Sequence, residues 1–338
     1  MQRTEDNSTF SADRLRLEPA AEQRIAEGIR DQVLRRLRRR GAVIGLSGGI
    51  DSSVTAALCV AALGPDNVLA VLMPEKDSDP ESTRLGRLVA ETCGIRHVVE
   101  DIAPALQASG CYQRRDAAIR ELFPEYGPGW SCKVVLANVL QGNRYNLTKL
   151  VVQPPQGPQR EARMPLAVYQ AVVAATNMKQ RTRKQLEYYH ADRLNYAVAG
   201  TPNRLEYDQG FFVKNGDGAA DFKPIAHLYK SQVYELAERL GIPEEIRRRP
   251  PTTDTWSMAQ TQEEFYFALP YQQMDLCLYG LEHGIPASDV AAATGLTAAQ
   301  VELVWQDIEA KRRATRYLHE PPLLIGEEPA ELPSALSA

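Results

Sequence analysis

The most specific chemistry in this 338-residue chain lies in Leu46-Ser47-Gly48-Gly49-Ile50-Asp51-Ser52-Ser53, between a short apolar run and a helical pattern. Two adjacent glycines let the backbone approach a phosphate closely, Ser47 and Ser52 supply hydroxyls, and a helix N-terminus adds free N–H groups and positive potential. The Gly-Lys-Ser/Thr ending of a Walker loop is absent. Asp51 sits poorly beside a phosphate unless a divalent cation lies between them, which makes it a candidate magnesium ligand. The alternative is an ordinary aspartate N-cap.

This strand–SGGxDS–helix unit resembles the phosphate loop of the N-type ATP pyrophosphatases. Those enzymes cleave ATP between the α and β phosphates, attach AMP to a substrate oxygen, and let a nucleophile such as ammonia displace it. Four later blocks narrow the resemblance: Asn177 to Arg183 (NMKQRTR), Ala199 to Glu206 (AGTPNRLE), Gly210 to Asp221 (GFFVKNGDGAAD) and Pro224 to Lys230 (PIAHLYK). In that order and at those spacings they are similar to the NAD synthetase family, strongly over residues 20–255 and weakly over the C-terminal helices. The resemblance implies an adenine-nucleotide alpha-hydrolase-like fold and amidation of deamido-NAD by ammonia, with ATP as co-substrate and Mg2+ as cofactor. It also implies a homodimer whose dinucleotide site draws on both subunits.

Carried over position by position, it implies magnesium at Asp51 and Glu206 and catalytic roles for Asp51, Glu206 and Lys230. ATP contacts fall at Gly45, Leu46, Ser47, Gly48, Gly49, Ile50, Asp51, Ser52, Ser53, Thr201, Lys230 and Thr252. Deamido-NAD contacts fall at Arg181, Lys214 and Asp221, with Asn177 and Asp217 as further candidates for the same substrate. The residue types make sense beside it. Glu206 follows a strand end, as Asp51 does, so the two carboxylates either share one cation or are unrelated surface acids. Thr201 suits a phosphate or the base side of ATP. Arg181 and Lys214 suit a pyrophosphate or are plain surface charges, and Asp217 and Asp221 either recognise ribose or pyridine substituents or shape a tight turn. Two departures stand out. The family's late His-Lys pair is absent from Ala314-Thr315-Arg316-Tyr317-Leu318-His319, where Arg316 is the expected substitute. Residues 124–163 form an insertion that compact ammonia-dependent members lack. It leaves open a second reading, in which the same adenylation acts on a different carboxylate.

The elements that must position these residues read as βαβ units. Ala42–Leu46, Val68–Met73, His97–Val99 and Tyr196–Ala199 read as strands. Helical patterns cover Ala20–Arg40, the run through Ala62, Glu81–Cys93 and Pro165–Arg193. This alternation predicts an α/β fold with a doubly wound parallel sheet, whose ligands sit beyond the carboxyl ends of the strands. The insertion reads as a β-hairpin turning at Gln141-Gly142-Asn143. A C-terminal helical extension over 256–320 is expected as helices 262–284, 286–294 and 297–313, with flexible tails at 1–19 and 321–338.

Composition narrows the class. With 39 Lys plus Arg against 43 Asp plus Glu the net charge is −4, so there is no overall pull toward nucleic acid or membrane. No apolar run is long enough to span a bilayer. Five scattered cysteines without a CxxC pair point to a reducing, cytoplasmic setting and against a zinc site. Ala287 to Ile308 imitates a helix-turn-helix, but its second helix offers mostly acids where DNA contacts need cations, which favours helix packing. A glutamine-using enzyme needs an amidase domain with its own cysteine nucleophile, usually more than about 150 residues. The short polar head and Pro-rich tail offer no such domain, so ammonia is the expected donor, unless a separate glutaminase docks.

Overall fold

The computed structural model describes residues 10–135, 148–252, 255–267, 269–323 and 325. Four parallel strands, β1 (Ala42–Gly45), β2 (Val68–Leu72), β3 (Arg96–Val99) and β7 (Ala197–Ala199), form a sheet ordered β3-β2-β1-β7. Ala42 stands opposite both Val68 and Ala197, so β2 and β7 register on β1, and β3 registers on β2. β1, β2 and β7 are almost wholly buried, as continuous apolar runs in a parallel sheet require.

Alternate residues serve opposite faces. Ala42, Ile44, Ala70 and Ala199 join a core with α1 (Ala21–Arg30), α2 (Ile50–Leu63), α3 (Pro80–Thr92) and α8 (Lys230–Arg239). Val43, Leu69, Val71 and Val198 face α6 (Leu166–Leu194), with α4 (Ala103–Ala108) and α5 (Cys111–Arg120) against its outer side. The doubly wound reading therefore agrees with the structure. Because β2 and β7 flank β1 on opposite sides, the switch point lies between β1 and β7, where such sheets bind ligands.

The insertion carries three strands where two were expected: β4 (Ser131–Val135), β5 (Lys149–Gln153) and β6 (Arg160–Arg163), an antiparallel meander. The expected turn at Gln141-Gly142-Asn143 lies outside the described residues. Beyond α7 (Arg204–Gln209) and α9 (Glu244–Arg248), the C-terminal part holds α10 (Tyr271–His283), α11 (Ala287–Thr294) and α12 (Ala298–His319). The helix expected over 262–284 is divided, with a wide π-type turn at Glu263–Phe267 and α10 beginning after Pro270. Proline cannot supply the amide that a continuous helix needs there. The α1 helix likewise ends in a π-type turn, Asp31–Arg36. Residues 10–19 are docked rather than frayed, because Phe10, Leu15 and Leu17 are buried and the Leu17 N–H donates to Glu235 at 3.0 Å. Those three residues follow no helical period, so their burial was invisible to pattern. Among the described residues no helix is long and apolar enough to cross a membrane.

Helix α6 buries charge. Lys179, 1% exposed, donates to Glu75 at 2.8 Å, Asp77 at 2.7 Å and the Thr255 carbonyl at 2.9 Å. Arg115 of α5 pairs with the same Asp77, and Tyr112 donates to Glu75 at 2.8 Å. Burial alone would raise the Asp77 carboxyl, but Lys179 and Arg115 hold it below the usual carboxylate range. The network fixes the loop after β2 against α5 and α6. Lys179→Met leaves Glu75 without its buried cation and Asp77 with Arg115 alone, and should cost about 3–5 kcal/mol in urea unfolding. Lys149→Met, which breaks the exposed pair with Glu161, should cost at most about 1 kcal/mol. Equal losses would show that the buried network contributes no more than a surface pair.

Candidate active site

The β1–α2 loop is shaped by Gly48, whose φ is +73°, and a Cβ there would lie 2.7 Å from the Leu85 Cβ and 2.8 Å from the Ser82 carbonyl. Gly48 thus lets the loop press against α3 while its amides stay near the N-terminus of α2. The Ser47 and Ser52 hydroxyls converge at 3.2 Å, and Ser53 turns inward to donate to the Gly49 carbonyl at 2.7 Å. Asp51, in the first turn of α2, faces the loop that follows β7.

That second loop begins α7. Asn203 caps it and Glu206 occupies the third helical position: the Glu206 N–H donates to Asn203 Oδ1 at 3.2 Å and the Asn203 N–H to Glu206 Oε2 at 3.1 Å. The Asn203 side-chain amide Nδ2 donates to Asp51 Oδ1 at 3.1 Å, and the Gln262 side chain donates to Glu206 Oε1 at 2.8 Å. Lys230, 2% exposed at the start of α8, is ion-paired with Asp51. Asp275 of α10 accepts from the backbone N–H groups of Lys230 at 3.2 Å and Ser231 at 2.7 Å, so the C-terminal helices hold the start of α8 in place.

Burial and then the Asp51 charge push the Glu206 carboxyl up to about 8, against the pull of Lys230. Burial works against charge on Lys230 too, but Asp51 and Glu206 keep its ammonium above the ordinary lysine range. Two carboxylates thus share one cation. Among the described residues no group of three or more His, Cys, Asp or Glu is placed to hold a metal ion by itself. Two hard oxygen donors beside a phosphate-type loop suit magnesium, which takes its remaining ligands from substrate phosphates and water.

A cavity of about 810 Å3 opens over this cluster. Gly45, Leu46, Ser47, Gly49, Ile50, Asp51, Ser52, Thr201, Glu206 and Thr252 line it, as do Asn177, Arg181, Lys214 and Asp217. Four expected residues are not in its wall. Gly48 and Ser53 shape the loop from behind, Lys230 acts through Asp51, and Asp221 lies at the edge of β7. There its carboxylate accepts the Val198 N–H at 2.7 Å and the Tyr188 hydroxyl at 3.3 Å, beside the backbone bridge that Phe222 makes with Ala199. Lys214 donates to the carbonyls of Tyr317 at 2.6 Å and Glu320 at 2.9 Å, which ties the end of α12 to the cavity. Asp217 accepts the Val213 N–H at 2.7 Å and is raised by burial. Arg316, the expected substitute for the late pair, is exposed and faces Glu320 at 3.5 Å, whereas Thr315, Tyr317 and Leu318 line the cavity. Asn203 and Gln262 escaped sequence reasoning as carboxylate partners. The capping-box spacing of Asn203 and Glu206 was a readable signal; nothing local marks Gln262.

The family described as NAD synthase matches residues 22–122 and 152–318. A Rhizobium meliloti protein named NH(3)-dependent NAD(+) synthetase is 69% identical over 317 residues, covering 94% of this chain and 95% of its own. An NMN synthetase structure from Francisella tularensis has a TM-score of 0.62 at 23% identity, covering 94% of this chain and all of that one. An NH3-dependent NAD synthetase structure from Campylobacter jejuni has a TM-score of 0.58 at 20% identity, covering 90% and 97%. At those identities the two structures speak to the fold alone, and they share this α/β architecture.

The Glu206 proton has a measurable signature. An ordinary glutamate releases it near 4.5, whereas the folded protein holds it up to about 8. The folded state therefore binds more protons in that window and loses stability as pH rises from about 4.5 to about 8. Thermal unfolding in EDTA should show the melting temperature of the wild type falling across this range relative to Glu206→Gln. Parallel curves would contradict the assignment.

Proposed function

The chain belongs to the NAD synthase family, and from that premise we propose that it makes NAD from deamido-NAD, ATP and ammonia, releasing AMP and pyrophosphate. The observation that carries this reading is the Asp51–Lys230–Glu206 cluster at the switch point, beside a phosphate-type loop and under one cavity.

The α2 N-terminus and the Ser47 and Ser52 hydroxyls receive phosphate oxygens, and Thr201 and Thr252 border the same space. Asp51 and Glu206 are the residues that would hold magnesium. Bound there, it would offset the triphosphate charge and draw off the charge of the leaving pyrophosphate. Lys230 is already desolvated beside Asp51, so its ammonium adds electrostatic stabilisation at little reorganisation cost. A carboxylate oxygen of deamido-NAD attacks the α-phosphorus and the bond to the β-phosphate bridge oxygen breaks. Ammonia nitrogen then attacks the acyl carbon and AMP leaves with the carbon–oxygen bond electrons. The attacking carboxylate is already ionised and needs no base. Ammonium must lose a proton first, so alkaline pH favours the second step.

Arg181, Lys214 and Asp217 border the cavity away from the carboxylate cluster and are assigned to deamido-NAD. Asp221 is exposed at the sheet edge, and Leu166 and Tyr189 of α6 are exposed at 70% and 58%. A homodimer is the proposed assembly, because a second subunit would cover these groups and complete the dinucleotide site. The five cysteines are free, four of them buried, which suits the cytoplasm. A separate glutaminase is the proposed partner where glutamine is the source of the ammonia.

Asp51→Ala should abolish pyrophosphate release with deamido-NAD while leaving thermal unfolding cooperative; release at the wild-type rate would remove Asp51 from the mechanism. With the wild type, pyrophosphate release should be fastest with deamido-NAD among pyridine carboxylates. A faster mononucleotide would move the assignment to a different acceptor. Glutamine at equal concentration should give almost none of the NAD that ammonia gives, and comparable rates would overturn the donor assignment. Full activity from a monomer in analytical ultracentrifugation would overturn the dimer.

A further inference from the structure

We propose that the inserted sheet is a clamp that holds residues 255–262 against the nucleotide end of the cavity, so that Gln262 reaches Glu206 and the Thr252 wall is set before ATP arrives. The inference rests on the adenylation reading of the site. It begins with a gap: the family match stops at residue 122 and resumes at 152, so β4 belongs to a stretch the family pattern does not cover. A segment of the active site nevertheless hangs on β4.

β4 pairs with β5 along one edge. Its other edge meets residues 257–260. The Cys132 N–H donates to the Ser257 hydroxyl at 2.9 Å, the Met258 N–H to the Cys132 carbonyl at 3.2 Å, and the Gln260 carboxamide to the Val134 carbonyl. Cys132 and Val134 stand two apart, so the strand presents both to the same edge. Among the described residues, every hydrogen bond that 257–260 makes beyond its own segment ends on β4. Trp256, 6% exposed, shares a core with Cys132, Val134, Leu150 and Val152 of the sheet and Val168 and Val172 of α6.

The clamped segment ends at the chemistry. The Gln262 N–H donates to the Pro251 carbonyl at 3.0 Å, Thr252 bridges Thr261, and the Gln262 side chain donates to Glu206 at 2.8 Å. Lys179 holds the Thr255 carbonyl at the other end. A short segment without helix or sheet of its own has little reason to keep one conformation, and ordering it on ATP binding would weaken that binding. Pairing with β4 supplies the order in advance. Ser257 and Gln260 are positioning residues here, since neither lines the cavity.

The test compares full-length wild type with Ser257→Ala/Gln260→Ala. ATP affinity is measured by calorimetry without an acceptor, so no turnover is needed. Local order is read by chymotrypsin cleavage after Trp256 and Met258, with fragments identified by mass spectrometry. The clamp requires ATP Kd to rise roughly ten-fold, in line with two lost hydrogen bonds, with faster cleavage confined to those two sites. Ser257→Thr, which keeps the hydroxyl, should behave as wild type. If the double variant does not fold, Ser257→Ala and Gln260→Ala carry the same comparison singly, each with a change of roughly three-fold or more. An unchanged Kd, or cleavage that accelerates evenly along the whole chain, overturns the clamp. Failure of the wild type to form NAD would overturn the proposed function instead, and the cleavage and Kd comparison would still decide the clamp.

Discussion

Two buried carboxylates and one buried ammonium meet at the carboxyl end of the parallel sheet, and their charge balance constrains the rest of the molecule. Asp51 is anchored by the start of α2, Glu206 by the capping box of α7 and Lys230 by the start of α8. Three elements distant in sequence must therefore hold their ends together to avoid leaving a desolvated charge unmatched, a cost far larger than any surface contact returns. The sheet order makes this possible, because β1 and β7 are neighbours and the loops leaving them diverge at the switch point. The excess of carboxylates over cations is met by Glu206, which holds its proton up to about 8 beside the charged Asp51.

The surrounding parts read as supports for that balance. Asp275 reaches from α10 to the first amides of α8, which makes the C-terminal helices part of the site rather than an appendage. Phe10 and Leu15 join the same helical core together with Leu205 and Tyr229, so the N-terminal segment and the starts of α7 and α8 share one packing unit. A boundary at residue 255 accordingly cuts through cores, since Trp256 packs with the inserted sheet and α6. Helix α6 bears a comparable load on the other face. It buries Lys179, Lys184, Glu187 and His190, each paired: Lys184 with Glu187 at 2.6 Å and His190 with Glu100 at 2.9 Å. Such a helix lacks the clear apolar stripe of a surface helix, because paired charges occupy positions that aliphatic side chains would otherwise fill.

Local pattern carried a good part of this. Strands β1, β2 and β7 are continuous apolar runs, and the glycine pair with Asp51 and two serines states a phosphate-type loop in eight residues; such features depend on neighbours within one turn or one strand, so sequence alone determined them. Glu206 was legible for the same reason, as a carboxylate just past a strand. Tertiary structure decided what depends on distant partners. Gln262 reaches Glu206 across 56 positions, Lys230 reaches Asp51 across 179, and Asp221 turns to a sheet edge instead of the cavity. Residues 10–19 dock through three side chains without a period, and the inserted strand β4 finds its second partner more than a hundred residues away. Hydrogen bonds and buried charges are satisfied wherever the fold brings a complement, and spacing along a chain records only the complements that lie nearby.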